Sequence, residues 1–354
     1  MTSRFHLPPV FARLLFLGVL LTALLPAQDQ TPPSAAQSLI ARGRQALEAG
    51  DFAQAARSFE QARALAPGNR DVFRGLVVSY LQGGAMGQAI AAGREAVERW
   101  PRDPDFHHWL GLAYFQNREI AAAVEQLQAA ARLAPRSADV HHDLALVFLD
   151  QQQYPQAAEQ LEKVVRRRPR AALDHVLLGR AYQNSNRTLR AIEEFKTALR
   201  LEPGLPLGHY HLGFAYASVG RNGEALAELR QEATPAQTNA EVFYQFGHTL
   251  LESGQWREAV GSLRRATELA PDHQDAFYDL GKALLLVGET ESAIAALQRA
   301  LELNPRDASA YYQLSRALAR KGDPAGSAQA LARFHELKKS QQATGGMATG
   351  RERK

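Results

Sequence analysis

From residue 36 onward the apolar positions of this chain form paired stripes that return every 34 residues. Between 240 and 273 the first stripe is Phe243, Phe246, Gly247 and Leu250, at i, i+3, i+4 and i+7. The second is Trp256, Ala259, Leu263 and Ala266, with the same spacing. Four residues so spaced share one helix face, so each period reads as two short amphipathic helices with polar residues toward water.

Punctuation fixes the period. Proline stands at 67, 101, 135, 169, 203, 271 and 305, and Gln237 fills the one vacant place. Proline ends the second helix because it cannot continue the hydrogen-bond ladder. Gly50, Gly84, Asn186, Gly220, Gly254, Gly288 and Gly322 sit in the turn between helices, where a left-handed residue closes the first one. Nine repeats therefore begin at 36, 70, 104, 138, 172, 206, 240, 274 and 308 and fill residues 36–341 without insertion or deletion. A linker at 28–35 precedes them. A basic tail at 342–354, rich in glycine, threonine and charge, has no periodicity and is expected to be disordered.

These residues resemble the tetratricopeptide repeat family. Its pattern of a large residue, Leu-Gly, Tyr, Ala, a large apolar residue, Ala and Pro is met by His107, Leu110, Gly111, Tyr114, Ala123, Leu127, Ala130 and Pro135. Repeat 5 meets it with His175, Leu178, Gly179, Tyr182, Ala191, Phe195, Ala198 and Pro203. The resemblance implies an all-α fold, an α-solenoid of about nine helix-turn-helix units in a right-handed superhelix. It also implies a non-catalytic scaffold that binds a peptide or protein segment in its concave groove. The alternative is an accessory or regulatory subunit of an envelope enzyme or of a secretion or polysaccharide-export assembly. Repeat 6 departs from the pattern, with Pro235 early and Glu232 where alanine is expected, so its second helix is expected to end early or turn Glu232 outward. Gly93 replaces a large side chain in repeat 2, which suggests looser packing there.

Charge adds a targeting signal and removes nucleic acid. The formal charge is +4, but Arg4 and Arg13 account for +2 and residues 336–354 for +3, which leaves the body near −1 and without a footprint for a duplex. Arg4 and Arg13 precede the run Leu14 to Leu25, which Pro26-Ala27 follows. That reads as a signal peptide over 1–27 and a periplasmic or extracellular protein. Leu25 lies where a small residue usually precedes cleavage, so an uncleaved N-terminal membrane anchor stays open. The absence of cysteine excludes a disulfide framework and a catalytic thiol.

Histidine is the candidate chemistry. His107, His141, His175 and His209 recur at the fourth repeat position, which the family uses for packing, and neighbouring repeats place such rings too far apart for one metal. No nucleophile, phosphate-loop or metal motif accompanies them, so no enzyme, cofactor, metal or small-molecule substrate is expected. The cluster Arg166, Arg167, Arg168 and Arg170 is read as complementing a helix C-terminus.

The resemblance places the binding groove on the fifth, ninth and twelfth positions of each first helix. In repeats 2–4 these give an apolar floor, Val78, Leu81, Leu112, Phe115, Leu146 and Leu149, with His108 and His142 beside it and Asp71, Asp105 and Asp139 along one edge. In repeats 6–9 they give a tyrosine ladder, Tyr210, Tyr244, Tyr278 and Tyr312, with Phe214, and a cationic end at Lys282 and Arg316. Between the two, the ninth position holds Arg180 and the twelfth Gln183. The expected partner is a protein or peptide, not nucleic acid.

Overall fold

The computed structural model describes residues 34–350, with side chains to residue 342. The expected signal or anchor at 1–27, most of the expected linker and residues 351–354 lie outside the described residues. Eighteen helices follow one another in pairs, with no strand among the described residues. Repeats 1–3 supply α1 (Ala35–Glu48) and α2 (Phe52–Leu65), α3 (Arg70–Gln82) and α4 (Met86–Arg99), α5 (Pro104–Gln116) and α6 (Ile120–Leu133). Repeats 4–6 supply α7 (Ala138–Asp150) and α8 (Tyr154–Arg167), α9 (Ala172–Asn184) and α10 (Thr188–Leu201), α11 (Gly208–Ser218) and α12 (Asn222–Glu232). Repeats 7–9 supply α13 (Ala240–Glu252) and α14 (Trp256–Leu269), α15 (Gln274–Val287) and α16 (Thr290–Leu303), α17 (Ala308–Lys321) and α18 (Pro324–Gly350).

Three residue choices build each pair. First helices begin at side-chain caps such as Ser137, Asn239 and Asp307, whose oxygens take backbone N–H groups that the helix leaves unpaired. The fifteenth residue of every repeat has positive φ, which turns the chain back on itself. Six of these are glycine, but Arg118 (φ 64°), Gln152 (φ 56°) and Asn186 (φ 59°) hold the same conformation in repeats 3–5. The first two were not foreseen, and a left-handed side chain costs about 1 kcal/mol against glycine. Third, the eighth and twenty-fourth residues interlock. A Cβ on Gly179 lies 2.5 Å from the Phe195 ring, and one on Gly281 lies 2.5 Å from Leu297. The glycine is the slot for the bulky side chain.

The chain divides into two compact units, Met1–Ser79 and Tyr80–Lys354. In the first, Phe59 fills the space between Gly43 and Gly75, and Arg44 pairs with Asp71 at 2.9 Å. In the second, one buried apolar cluster runs from Leu127 in α6 to Ala330 in α18. A core passed from repeat to repeat is what a solenoid requires, since no repeat buries its own stripe.

Repeat 6 resolves its two departures together. α12 ends at Glu232, and its Oε1 accepts from the Leu207 amide (3.3 Å) and Gln237 Nε2 (3.2 Å). The carboxylate leaves the packing position and satisfies the start of α11, where Leu207 is left-handed at φ 59°. Three expectations need correction. Gly93 is buried with Leu110 Cδ1 3.0 Å from where its Cβ would be, so the neighbouring repeat fills the space and packing there is not loose. The apolar residues Leu331, Phe334 and Leu337 of the last helix read as a face toward the array, but Leu331 is 37% exposed, while Leu337 is buried. The backbone of 342–350 continues α18 instead of forming an aperiodic tail, because no proline follows Pro324 to stop the helix.

Candidate functional site

First helices touch first helices across repeat junctions: α5 meets α7, α9 meets α11, α11 meets α13, α13 meets α15 and α15 meets α17. No pair of second helices makes comparable contact among the described residues. The closer approach puts the concave side of the second compact unit on its first helices.

That closeness covers part of the expected apolar floor. Leu81 (3% exposed) and Leu112 (9% exposed) are buried in one cluster with Ala89 and Ala113. Phe115, Leu146 and Leu149 are half-buried, with Phe115 and Leu149 packed against the main core, and Val78 lies half-buried in the first compact unit. Leu81 and Leu112 are therefore core, while Val78, Phe115, Leu146 and Leu149 keep part of their surface. Tyr210 (3% exposed) is also core, whereas Tyr244 and Tyr278 are half-buried and Tyr312 is 43% exposed. The cationic end is partly neutralised, because Lys282 Nζ pairs with Glu252 at 3.1 Å. Arg316 stays exposed and lies over the Tyr312 ring.

The fourth-position histidines are staples. His141 Nε2 donates to the Pro135 carbonyl (3.2 Å), and its Nδ1 faces Gln160 Oε1 (2.8 Å) on the second helix of its own repeat. His107 does the same with Pro101 and Gln126, and His175 with Pro169 and Glu194. His209 reaches Glu228. Each ring joins two helices of one repeat, and three also hold the end of the preceding repeat. No cluster of three His, Asp or Glu side chains that could hold a metal occurs among the described residues.

The fifth-position histidines belong to a different network. His108 Nε2 donates to Asp143 Oδ2 (2.7 Å), and His142 Nδ1 meets Asp143 Oδ1 (3.4 Å). His142 Nε2 then lies 3.6 Å from Asp174, which Arg168 joins at 3.1 Å before also reaching Asp139 at 3.2 Å. Burial alone raises the Asp143 carboxyl, but the two histidine hydrogen bonds outweigh it and hold it below its ordinary value. His108, His142 and Asp139 were expected beside an open groove. Instead they form an alternating ladder across repeats 3–5, and Arg168 is a tie between repeats more than a complement to its helix end.

One turn further along, the pattern stops. Arg180 on α9 is partly buried and has no ion pair or side-chain hydrogen bond among the described residues. Burial pushes its guanidinium below the usual range. Gln183 Nε2 and Tyr210 Oη are buried without a partner. Each such donor costs about 1–3 kcal/mol. The Tyr210 ring is stacked on Phe214 with centroids 6.2 Å apart, and His211 is stacked on Phe195 at 5.5 Å. Burial, with the charge of Arg180 added, pushes His211 down to about 3, so it stays neutral. In repeats 7–8 the groups are paired again: His248 with Asp279 at 2.7 Å and His273 with Glu241 at 3.4 Å, which raise both histidines.

Tetratricopeptide repeat models match residues 40–104, 142–206 and 176–240, a second such model matches 250–318, and a third matches 296–342. The chain belongs to the tetratricopeptide repeat family. A model described as anaphase-promoting complex, cyclosome, subunit 3 also matches residues 83–164. Among solved structures, the repeat protein YrrB, described as having an unusual peptide-binding site, is 22% identical over 51% of this chain and 93% of its own, with TM-score 0.47. A tetratricopeptide repeat protein from Parabacteroides merdae is 14% identical over 71% of this chain and all of its own, with TM-score 0.49. A chain of the APC/C hetero-tetramer Cut9-Hcn1 is 19% identical over 80% of this chain and 54% of its own, with TM-score 0.49. No curated protein matches the sequence.

Reading the sequence placed Arg180 and Gln183 at ninth and twelfth positions without singling them out. The signal was a cation at a position that is apolar in each of the three preceding repeats, Val78, Leu112 and Leu146, with no acid at the fifth position beside it.

Proposed function

We infer that this protein is a non-catalytic scaffold that holds a peptide or protein segment against the first-helix face of α5–α17. Family membership supports an interaction role. The observation that carries the reading is the row of partly covered groups along α9–α17: Arg180, Phe214, Tyr244, Tyr278 and the exposed Tyr312. Rings that are half-buried in the free protein lose little freedom on binding and offer both apolar faces and hydroxyls, which suits a peptide. This reading keeps the part of the expected groove in repeats 6–9, adds Arg180 from repeat 5, and leaves Leu81 and Leu112 of repeats 2–3 to the core.

A photo-crosslinking amino acid placed at Phe214 tests this, with the same label at Leu189, which is 67% exposed on α10. A random peptide library should be captured from position 214 and not from position 189. Capture from 189 alone moves recognition to the outer helices and ends the reading. Export is a separate proposal, supported by Arg4, Arg13 and the run Leu14–Leu25. Among the described residues no helix is long and apolar enough to cross a membrane. The mass of the protein recovered from its host decides between cleavage near Ala27 and a retained Met1.

A further inference from the structure

Arg168 ties Asp174 and Asp139, but the arginines around it hold nothing. In the second compact unit Arg102, Arg132, Arg136, Arg166, Arg167 and Arg170 are exposed. None of the six makes an ion pair or a side-chain hydrogen bond among the described residues. The exposed acids beside them are Glu98, Glu202 and Asp139, and Asp139 is already held by Arg168. The balance is strongly positive here, on a chain whose body is near −1 overall.

Their placement follows from the fold. Second helices of successive repeats run the same way, so the turns that lead to the next repeat fall on one edge. Each turn is closed by a backbone hydrogen bond, from Asp103 to Trp100, from Ser137 to Ala134 and from Ala171 to Arg168, all at 3.0 Å. The two residues at each tip are proline and arginine: Pro101-Arg102, Pro135-Arg136 and Pro169-Arg170. Proline's fixed φ suits the second place of such a turn, and the arginine after it stands out from the edge. Arg132, Arg166 and Arg167 come from the last turns of α6 and α8, directly behind these tips. Exposed leucines stand among them: Leu133 beside Arg132, Leu173 (54% exposed) after Arg170, and Leu201 beside Arg200.

The helix dipole favours a cation at each of these ends but does not account for the pattern. It acts equally in every repeat, yet repeats 7 and 8 put Glu268 and Glu302 where repeats 3 and 4 put Arg132 and Arg166. Leu269 and Leu303, at the place of Leu133, are half-buried there. We propose that this edge, over repeats 2–5, docks on an anionic phospholipid surface. Guanidinium groups take phosphate oxygens two at a time, and each arginine near such a surface adds to the attraction. Unpaired arginines interspersed with exposed leucines are the makeup of a segment that lies in the headgroup layer. An acidic protein answers the charges but not the leucines, which stand on separate turns and enter between headgroups one by one. Docking through this edge leaves the first-helix face free, so the proposal stands apart from the scaffold reading.

Vesicle flotation of the full chain tests it, with phosphatidylcholine alone and with phosphatidylcholine and phosphatidylglycerol in equal parts. Because the chain also carries Leu14–Leu25, the readout is the ratio of affinities for the two compositions and its change in each variant. Wild type should prefer the anionic vesicles, with a preference that falls as salt is added. Arg170→Glu should cut that preference on the order of 10-fold, and adding Arg136→Glu should cut it on the order of 10-fold again. Arg306→Glu, at the same turn position in repeat 8, should leave it nearly unchanged. Leu133→Ser with Leu173→Ser should weaken binding to the anionic vesicles while keeping its salt dependence. Circular dichroism shows that the helices are intact in each variant. Equal affinity for both compositions overturns the proposal, and so does an equal loss from Arg306→Glu and Arg170→Glu. Capture of poly-glutamate without capture of anionic vesicles also overturns it and names an acidic protein instead.

Discussion

Repeats 3–4 and repeats 5–6 both place a polar residue at the fifth position of their first helices, His108 and His142 against Tyr210, and end in opposite conditions. In the first pair, His108 and His142 share Asp143, and the ladder runs on through Asp174, Arg168 and Asp139. In the second, Gln183 Nε2 and Tyr210 Oη are buried without a hydrogen-bond partner, and Arg180 has no ion pair among the described residues. A polar group that is buried and satisfied stabilises the fold, and one left unsatisfied weakens it. The position within the repeat therefore does not decide whether a residue is structural or recognitional; the partner does. This chain completes its network across repeats 3–5 as far as Asp174 and leaves it open further along α9 and on α11.

Leu112→Asp would break the closed side hardest. Leu112 is core, so a carboxylate there should cost about 3–5 kcal/mol and melt repeat 3. Loss of protection in α5 and α6 by hydrogen exchange checks it; an unchanged pattern would return Leu112 to the groove. Asp143→Ala comes next, since it strips two histidines of their acceptor and should cost about 2 kcal/mol in chemical denaturation.

Acid separates the regions with opposite signs. His211 has a folded pKa of about 3, far below its unfolded value, so the unfolded chain takes up protons first as pH falls. Its contribution is complete above about pH 6.5 and is lost below it, by about 1–2 kcal/mol at pH 5. His248 and His273 are raised by Asp279 and Glu241, so their contribution is present below about pH 6.5 and lost as pH rises through their folded values. Between pH 7 and 5, protection relative to the intrinsic amide rate at each pH should fall in α11 and rise in α13 and α15, and His211→Phe should remove the first effect. A uniform fall in protection in all three helices would erase the contrast. The smallest change is Gln152→Gly, which relieves a left-handed side chain at an exposed turn and should add about 0.5–1 kcal/mol.

The repeats were legible because their signals are local. Proline at the repeat end, glycine at the turn and the 34-residue register each act over a few residues, and the eighteen helices fall where those signals put them. The groove was not, because it depends on how closely first helices approach. Leu81 and Leu112 read as surface positions until the neighbouring helix covers them. Glu232 was legible as an anomaly, but its use as an acceptor for the Leu207 amide spans 25 residues and needs the fold. Arg180 was visible as a charge, and its missing partner was not, since absence of a partner belongs to the folded chain.

Hydrogen exchange across α9 and α11 in Arg180→Met, without any peptide present, tests the contrast most directly. If Arg180 is held unpaired for a ligand, removing its buried charge relieves the free protein, and amides in α9 and α11 should exchange more slowly than in wild type. If exchange in those helices becomes faster, Arg180 is a structural group like His142 and Arg168, and the difference between the two regions does not exist.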